Sequence, residues 1–129
     1  FPISVNSLSA AETFLVPLQC EYFALEGLSQ LLNTAGLIKK SLNQDLRIEG
    51  IVLTMYDARN NLSQQVQADV KRTMGDKLYD TVIPRNVRVS EAPSYGKPVL
   101  LYDLKCPGSQ AYLKLASEII AREKALRAA

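Results

Sequence analysis

Apolar positions along the chain change period several times, and each change marks an element. Thr13-Phe14-Leu15-Val16-Pro17-Leu18 is a short apolar run of the length of a buried strand. Pro17 lacks a ladder donor and is predicted near the strand's end. From Glu21 to Lys40 the pattern turns helical, with Leu25, Leu28, Leu32 and Ala35 at i, i+3, i+7 and i+10. Glu21 and Glu26 fall early in this stretch and Lys39 and Lys40 late, which suits the helix dipole at both ends. Gly27 and Gly36 each cost a helix about 1 kcal/mol relative to Ala, which predicts close packing at both. Ile48 to Met55 is a near-continuous apolar run, the mark of a strand covered on both faces. Tyr56 to Asn61 is a polar loop. A second helix runs from about Leu62 to Met74, with Leu62, Val66, Val70 and Met74 at steps of four. Asn60 or Asn61 is its predicted cap and Gly75 its stop. Leu78 to Ile83 reads as a third strand. Pro84, Pro93, Pro98 and Pro107 then predict irregular structure, before a final helix from about Ser109 to Leu126. That helix carries Glu118–Arg122 and Glu123–Arg127 as i,i+4 pairs. No element is assigned before Thr13, since Phe1-Pro2-Ile3-Ser4-Val5 offers neither a cap nor a strand signal.

Strand, helix, strand, helix, strand, long loop and helix give an α/β fold with a mostly parallel sheet. Three strands are few for a parallel sheet covered on both faces, so the chain reads as part of a larger doubly wound domain. Its 129 residues are one domain's worth of material. The opening Phe1 in place of Met is compatible with processing, a boundary or an incomplete chain.

Composition removes whole classes of chemistry. Histidine is absent, and with it His-based triads, ligands and proton shuttles. Cys20 and Cys106 are too few for a four-Cys zinc site and too far apart for a CxxC motif. No run of 18 apolar residues exists, so no transmembrane helix is predicted, and no secretory leader is expected. A reduced, cytosolic compartment is the expectation. The net charge of +2 hides an asymmetry. Residues 1–57 carry −3 and residues 58–129 carry +5, with Arg59, Arg85, Arg88, Lys97 and Lys105 in loops. Such residues are most often merely solvated. A phosphate-binding face is the sharper alternative.

No self-sufficient catalytic centre is visible. The one Gly-Lys pair, Gly96-Lys97, has Glu91 where a phosphate loop needs Gly and Pro98 where it needs Ser or Thr. The six glycines never fall closer than nine apart, which excludes a dinucleotide fingerprint, and no G-x-S-x-G elbow occurs. Asp57, Glu91 and Asp103 sit at strand ends or in loops, where turn formation or capping is their first expectation. The informative stretch is Val82 to Pro98. A buried strand there delivers Pro84, Arg85 and Asn86 to the carboxyl edge of a parallel sheet, where open α/β folds bind ligands. Pro84 offers a rigid apolar surface to a ring, and the Asn86 amide both donates and accepts. An ordinary strand-to-loop turn explains the same residues.

Four segments in order resemble the ParA/Soj type of chromosome- and plasmid-partitioning ATPase, a deviant-Walker P-loop family. They are Val16 to Leu28, Leu53 to Leu62, the loop Ile83 to Pro98, and Tyr102-Asp103 with Gly108 to Ile120. The resemblance covers residues 4–121 and corresponds to the C-terminal half of such proteins. It implies that residues 1–129 are the C-terminal portion of a single ParA-like NTPase domain. The family's K-G-G-x-G-K-T-type phosphate loop and its switch carboxylates have no counterpart here.

Carried over by position, the resemblance implies that Met55 and Pro84, Arg85 and Asn86 form an adenine-binding wall. It implies that Arg59 and Arg88 contact nonspecific double-stranded DNA. Complete relatives would bind ATP and Mg, dimerise, coat nucleoid DNA in the cytoplasm, and hydrolyse ATP when stimulated by a ParB-type centromere-binding partner. These 129 residues alone are expected not to hydrolyse ATP, because phosphoryl transfer rests on parts they lack. Alternatives are a noncatalytic, truncated module that binds DNA or associates with an ATPase, a degenerate fragment without a stable fold, and a relative of the MinD-type septum-positioning ATPases. The last would favour a C-terminal amphipathic membrane helix, and Arg122 to Ala129 has too few bulky apolar residues for one.

Overall fold

A computed structural model describes residues 2–129. The elements are α1 (Pro2–Ala10), β1 (Thr13–Gln19), α2 (Ala24–Ser41), β2 (Arg47–Tyr56), α3 (Asn61–Met74), β3 (Leu78–Pro84), α4 (Val87–Glu91), α5 (Val99–Tyr102) and α6 (Pro107–Ala128). Single 3-10 turns at Gly75–Lys77 and Ala92–Tyr95 join them. The three strands form one parallel sheet in the order β1-β2-β3. Each strand has the predicted place, and the predicted α/β architecture stands.

The sheet is covered unequally. Val16 and Leu18 of β1, Ile51 and Leu53 of β2 and Leu78 of β3 pack against Ala24 and Leu28 of α2 and Val66 and Val70 of α3. On the opposite face Val52, Tyr79 and Ile83 pack against Leu115 of α6, with Ala111 and Ile119 beside it. β2 therefore buries both faces, which its continuous apolar run requires. β1 buries only one, and Leu15 and Pro17 on its other face are exposed.

Local sequence explains most boundaries. Asn60 caps α3 by accepting from the Leu62 amide at 2.9 Å, and Gly75 ends it at φ 56°, where a side chain would be strained. Glu118–Arg122 forms at 2.9 Å, whereas Glu123–Arg127 is not among the ion pairs of the described residues. Three expectations need correction. Gly27 and Gly36 are not packing glycines, since a Cβ at either would meet nothing within 4 Å. The stretch after Pro84 is not irregular: its prolines punctuate two short helices and a 3-10 turn. Finally, α1 precedes Thr13, Phe1 itself lying outside the described residues. Of α1 only Leu8 is buried, so there is no helical stripe to read. Instead the Asn43 side-chain amide, more than thirty residues away, donates to the carbonyls of Leu8 (3.0 Å) and Ala11 (2.7 Å). Leu8 then joins Ala35, Ile38 and Leu46 in a small second core.

Candidate nucleotide and nucleic-acid face

The loops after β2 and β3 leave the same end of the sheet, and hydrogen bonds lock them together. Arg85 N donates to Tyr56 O at 2.9 Å, and Cys20 N, just past β1, donates to Thr54 O at 3.1 Å. All six candidate site residues thus lie at this carboxyl end.

Met55 is the backbone anomaly of the region. Between the pairs Leu53↔Val82 and Tyr56↔Pro84, β2 advances three residues while β3 advances two. The extra residue falls in a bulge, and Met55 adopts φ 54°. A non-glycine held there costs on the order of 1–3 kcal/mol and persists only where its surroundings over-determine it. Here they do: the Tyr56 hydroxyl donates to Gln67 Oε1 at 2.8 Å and the Asp57 amide to Ser63 Oγ at 3.1 Å. The bulge leaves Met55 36% exposed at the end of a buried strand. Bulges that re-aim a side chain recur beside functional sites.

Pro84, partly buried, ends β3, and Arg85 beyond it is exposed. Asn86 is partly buried and N-caps α4 in position, without a side-chain cap bond. Its Oδ1 is buried and has no hydrogen-bond partner. It faces Gly108 at the start of α6, where a Cβ would lie 3.2 Å away and would collide with Val89. The absent side chain at Gly108 is what lets α6 approach this loop. The amide nitrogen of Asn86 is its remaining polar group.

Arg59 and Arg88 are both exposed and both tied to carboxylates. Arg59, with 91% of its side chain exposed, donates through Nε to Asp57 Oδ1 at 3.2 Å and through Nη2 to Oδ2 at 3.3 Å. The Arg59 backbone N–H also donates to Oδ1 at 3.0 Å. These bonds hold the Asp57 carboxyl below its usual range and raise the Arg59 guanidinium above its own. Arg88 meets Glu91 at 3.3 Å and Asp103 at 3.4 Å. The Tyr102 hydroxyl donates to the same Glu91 oxygen at 2.7 Å, which pushes its pKa up, and the Tyr102 ring stacks on Tyr95 with centroids 4.9 Å apart. Asp57 and Asp103 are thus turn formers, as expected, and also arginine holders. Exposed pairs of this kind are screened by water and salt and hold little net energy, so a phosphate can replace the carboxylate at little cost.

Sequence reading missed Ser63, Gln67 and the Tyr95–Tyr102 stack. Asp57-x-Arg59 was legible as a local turn, but Ser63 and Gln67 look like ordinary polar helix positions until the loop folds onto them. A cleft of about 520 Å³ lies elsewhere, at the amino end of β2 and β3, lined by Glu49, Lys71, Asp76, Lys77 and Arg122 among others. Its Arg122 is already bonded to backbone carbonyls, so the carboxyl end remains the candidate site. Among the described residues no group of three or more Cys, Asp or Glu side chains could hold a metal ion, and no helix is long and apolar enough to cross a membrane.

A family profile described as an AAA domain matches residues 2–48. The chain is 66% identical over 122 residues to the chromosome partitioning protein ParA of Caulobacter vibrioides strain NA1000 / CB15N, covering 95% of this chain and 46% of that protein. It is 58% identical over 119 residues to the sporulation initiation inhibitor protein Soj of Bacillus subtilis strain 168, covering 92% and 47%. A solved structure of cobyrinic acid a,c-diamide synthase from Mycobacterium smegmatis, with bound ADP and magnesium, aligns with TM-score 0.67 at 30% identity, covering 91% of this chain and 40% of that one. The chain spans about half the length of the curated relatives it matches. Over that shared half it is homologous to the ParA and Soj chromosome-partitioning proteins.

Proposed function

We propose that this chain supplies the base-binding and DNA-contacting half of a ParA-like partitioning ATPase. The observation that supports the reading is convergence: Met55, Pro84, Arg85 and Asn86 share one end of the sheet with Arg59 and Arg88, on a chain 66% identical to a ParA protein. Met55 and Pro84 offer apolar surface to an adenine ring, and Asn86 an amide to its edge. The residues present fit the base end of a nucleotide. They hold no phosphate loop, so ATP phosphates and Mg would rest on segments that the longer relatives carry. Bound there, ATP would supply the free energy for dimerisation, while this chain's residues orient the base.

On this reading the complete protein works on cytoplasmic, nucleoid-associated DNA, as a homodimer, with a ParB-type partner stimulating hydrolysis. Arg59 and Arg88 contact phosphates, so binding tolerates any sequence and weakens with salt. Polarisation titrations of random duplex at several salt concentrations test this. Arg59→Ala and Arg88→Ala are each expected to weaken binding and to reduce the salt slope by about 1. Unchanged slopes would remove both residues from the DNA face. These 129 residues alone are expected to show no magnesium-dependent ATP turnover, and measurable turnover would overturn the division of labour.

A further inference from the structure

β3 borders β2 on one side only, and such an edge strand exposes N–H and C=O groups that template pairing with another chain. Here that edge is filled from α6. Between the pairs Ile51↔Leu78 and Leu53↔Val82, β2 advances two residues while β3 advances four. The surplus lies at Tyr79 to Thr81. The successive amides of Asp80 and Thr81 both donate to Glu118, at 2.8 Å to Oε2 and 2.9 Å to Oε1. One helical turn further on, Arg122 donates to the carbonyls of Asp76 at 2.6 Å and Leu78 at 3.1 Å, and to Glu118 at 2.9 Å. Its guanidinium lies 4.6 Å from the centroid of the Tyr79 ring.

This is unlike the free surface pairs at Arg59 and Arg88. The Glu118 and Arg122 side chains are only 16% and 31% exposed, and four of their five bonds go to backbone groups of β3 and the residues just before it. A carboxylate accepting two amides, beside a fork donating to two carbonyls, presents the strand with the complement that a neighbouring strand would. The strand it covers is otherwise well suited to pair with itself. Leu78-Tyr79-Asp80-Thr81-Val82-Ile83 is rich in β-branched and aromatic residues and holds one charge. An antiparallel pairing about a two-fold axis between Leu78 and Tyr79 would set Lys77 of each copy against Asp80 of the other, opposite charges in register.

We propose that Glu118 and Arg122 act as a strand surrogate, sealing the β3 edge against a second copy of this chain. Strand addition is thereby confined to β1. The test is made on the intact protein that carries this sequence, comparing the wild type with Glu118→Ala and the volume-preserving Glu118→Gln. Sedimentation across a concentration series reads self-association, and hydrogen exchange reads the Asp80 and Thr81 amides. The expected result is faster exchange at these two amides when dilute, at least about tenfold tighter self-association, and renewed protection on association. Adding Asp80→Lys to Glu118→Ala, which sets like charges across the two-fold, is expected to reverse the association. Folded variants with the wild type's association behaviour would overturn the proposal. Loss of cooperative melting in Glu118→Gln would overturn it too, assigning the pair to the stability of the fold instead of to its edge.

Discussion

The two margins of the sheet are finished in opposite ways. Along β3, α6 covers the face with Leu115 and reaches the backbone with Glu118 and Arg122. Along β1, Leu15 and Pro17 face solvent, and among the described residues no side chain hydrogen-bonds to Thr13–Gln19. β3 is treated as a terminal strand is, and β1 as an interior strand is. A sealed margin and an open one in the same small sheet indicate where further strands can be added. The relatives, about twice the length of the matched stretch, have the chain to add them.

The comparison breaks most completely at the strand both margins depend on. Leu53 is fully buried in β2, between its partners Leu18 of β1 and Val82 of β3. Leu53→Ala is expected to cost about 2–5 kcal/mol. Amide exchange should rise together in β1 and β3, because the loss is shared. A rise confined to one strand would show that the margins unfold independently.

Gly50→Ala sharpens the comparison by loosening one side only. A Cβ at Gly50 would lie 2.5 Å from the Tyr79 ring, which crosses β2 at that point and carries Arg122 on its face. Overpacking of this kind costs about 1–3 kcal/mol. The displaced ring should release Arg122, so exchange at Asp80 and Thr81 is expected to quicken more than along β1, although Leu15 is the register neighbour of Gly50.

Acid acts on the same margin more gently. Burial alone would raise the Glu118 pKa, but the bonds from Asp80 and Thr81, with the charge of Arg122, outweigh it and hold the carboxyl below its ordinary 4.5. A depressed carboxylate contributes stability that is present above 4.5 and lost as pH falls through the lower folded value. The groups that act on it are Asp80, Thr81 and Arg122, and the nearby Tyr79 hydroxyl, whose own pKa burial raises, in turn feels Glu49, Arg122, Glu118 and Glu123. Below pH 4.5 the β3 amides should lose protection while β1, with no such carboxylate, changes less. Equal loss on both margins would place the acid sensitivity elsewhere.

Legibility in the sequence divides along the same lines. β2 announced itself because both its faces are buried, and α3 because Asn60 and Gly75 mark its ends with short-range chemistry. α1 did not, since its anchor is Asn43, distant in sequence. Glu118–Arg122 was readable as an i,i+4 pair, yet its bonds to β3 were not, because they exist only once α6 lies against a bulged strand. At the site, Pro84 to Asn86 could be placed at a strand end by pattern alone. Neither the positive φ of Met55 nor the buried Asn86 oxygen leaves a trace in the sequence.

The smallest stability effects are expected at the carboxyl end, where the arginines are held by carboxylates and not by backbone. Arg59→Ala removes a side chain that is 91% exposed and pairs only with Asp57, and Arg88→Ala one that is 53% exposed. Each should leave the melting midpoint close to the wild type's and exchange on both sheet margins unchanged. The contrast with Arg122→Ala is then diagnostic. Arg122 donates to two backbone carbonyls and to Glu118, so its loss leaves three acceptors, two of them part-buried, without their donor and should cost more than either exposed arginine. Thermal melts of the three variants give the ranking. Should Arg59→Ala destabilise as much as Arg122→Ala, its bonds to Asp57 would be holding the loop together, and the exposed guanidinium would not be free to exchange its carboxylate for a phosphate.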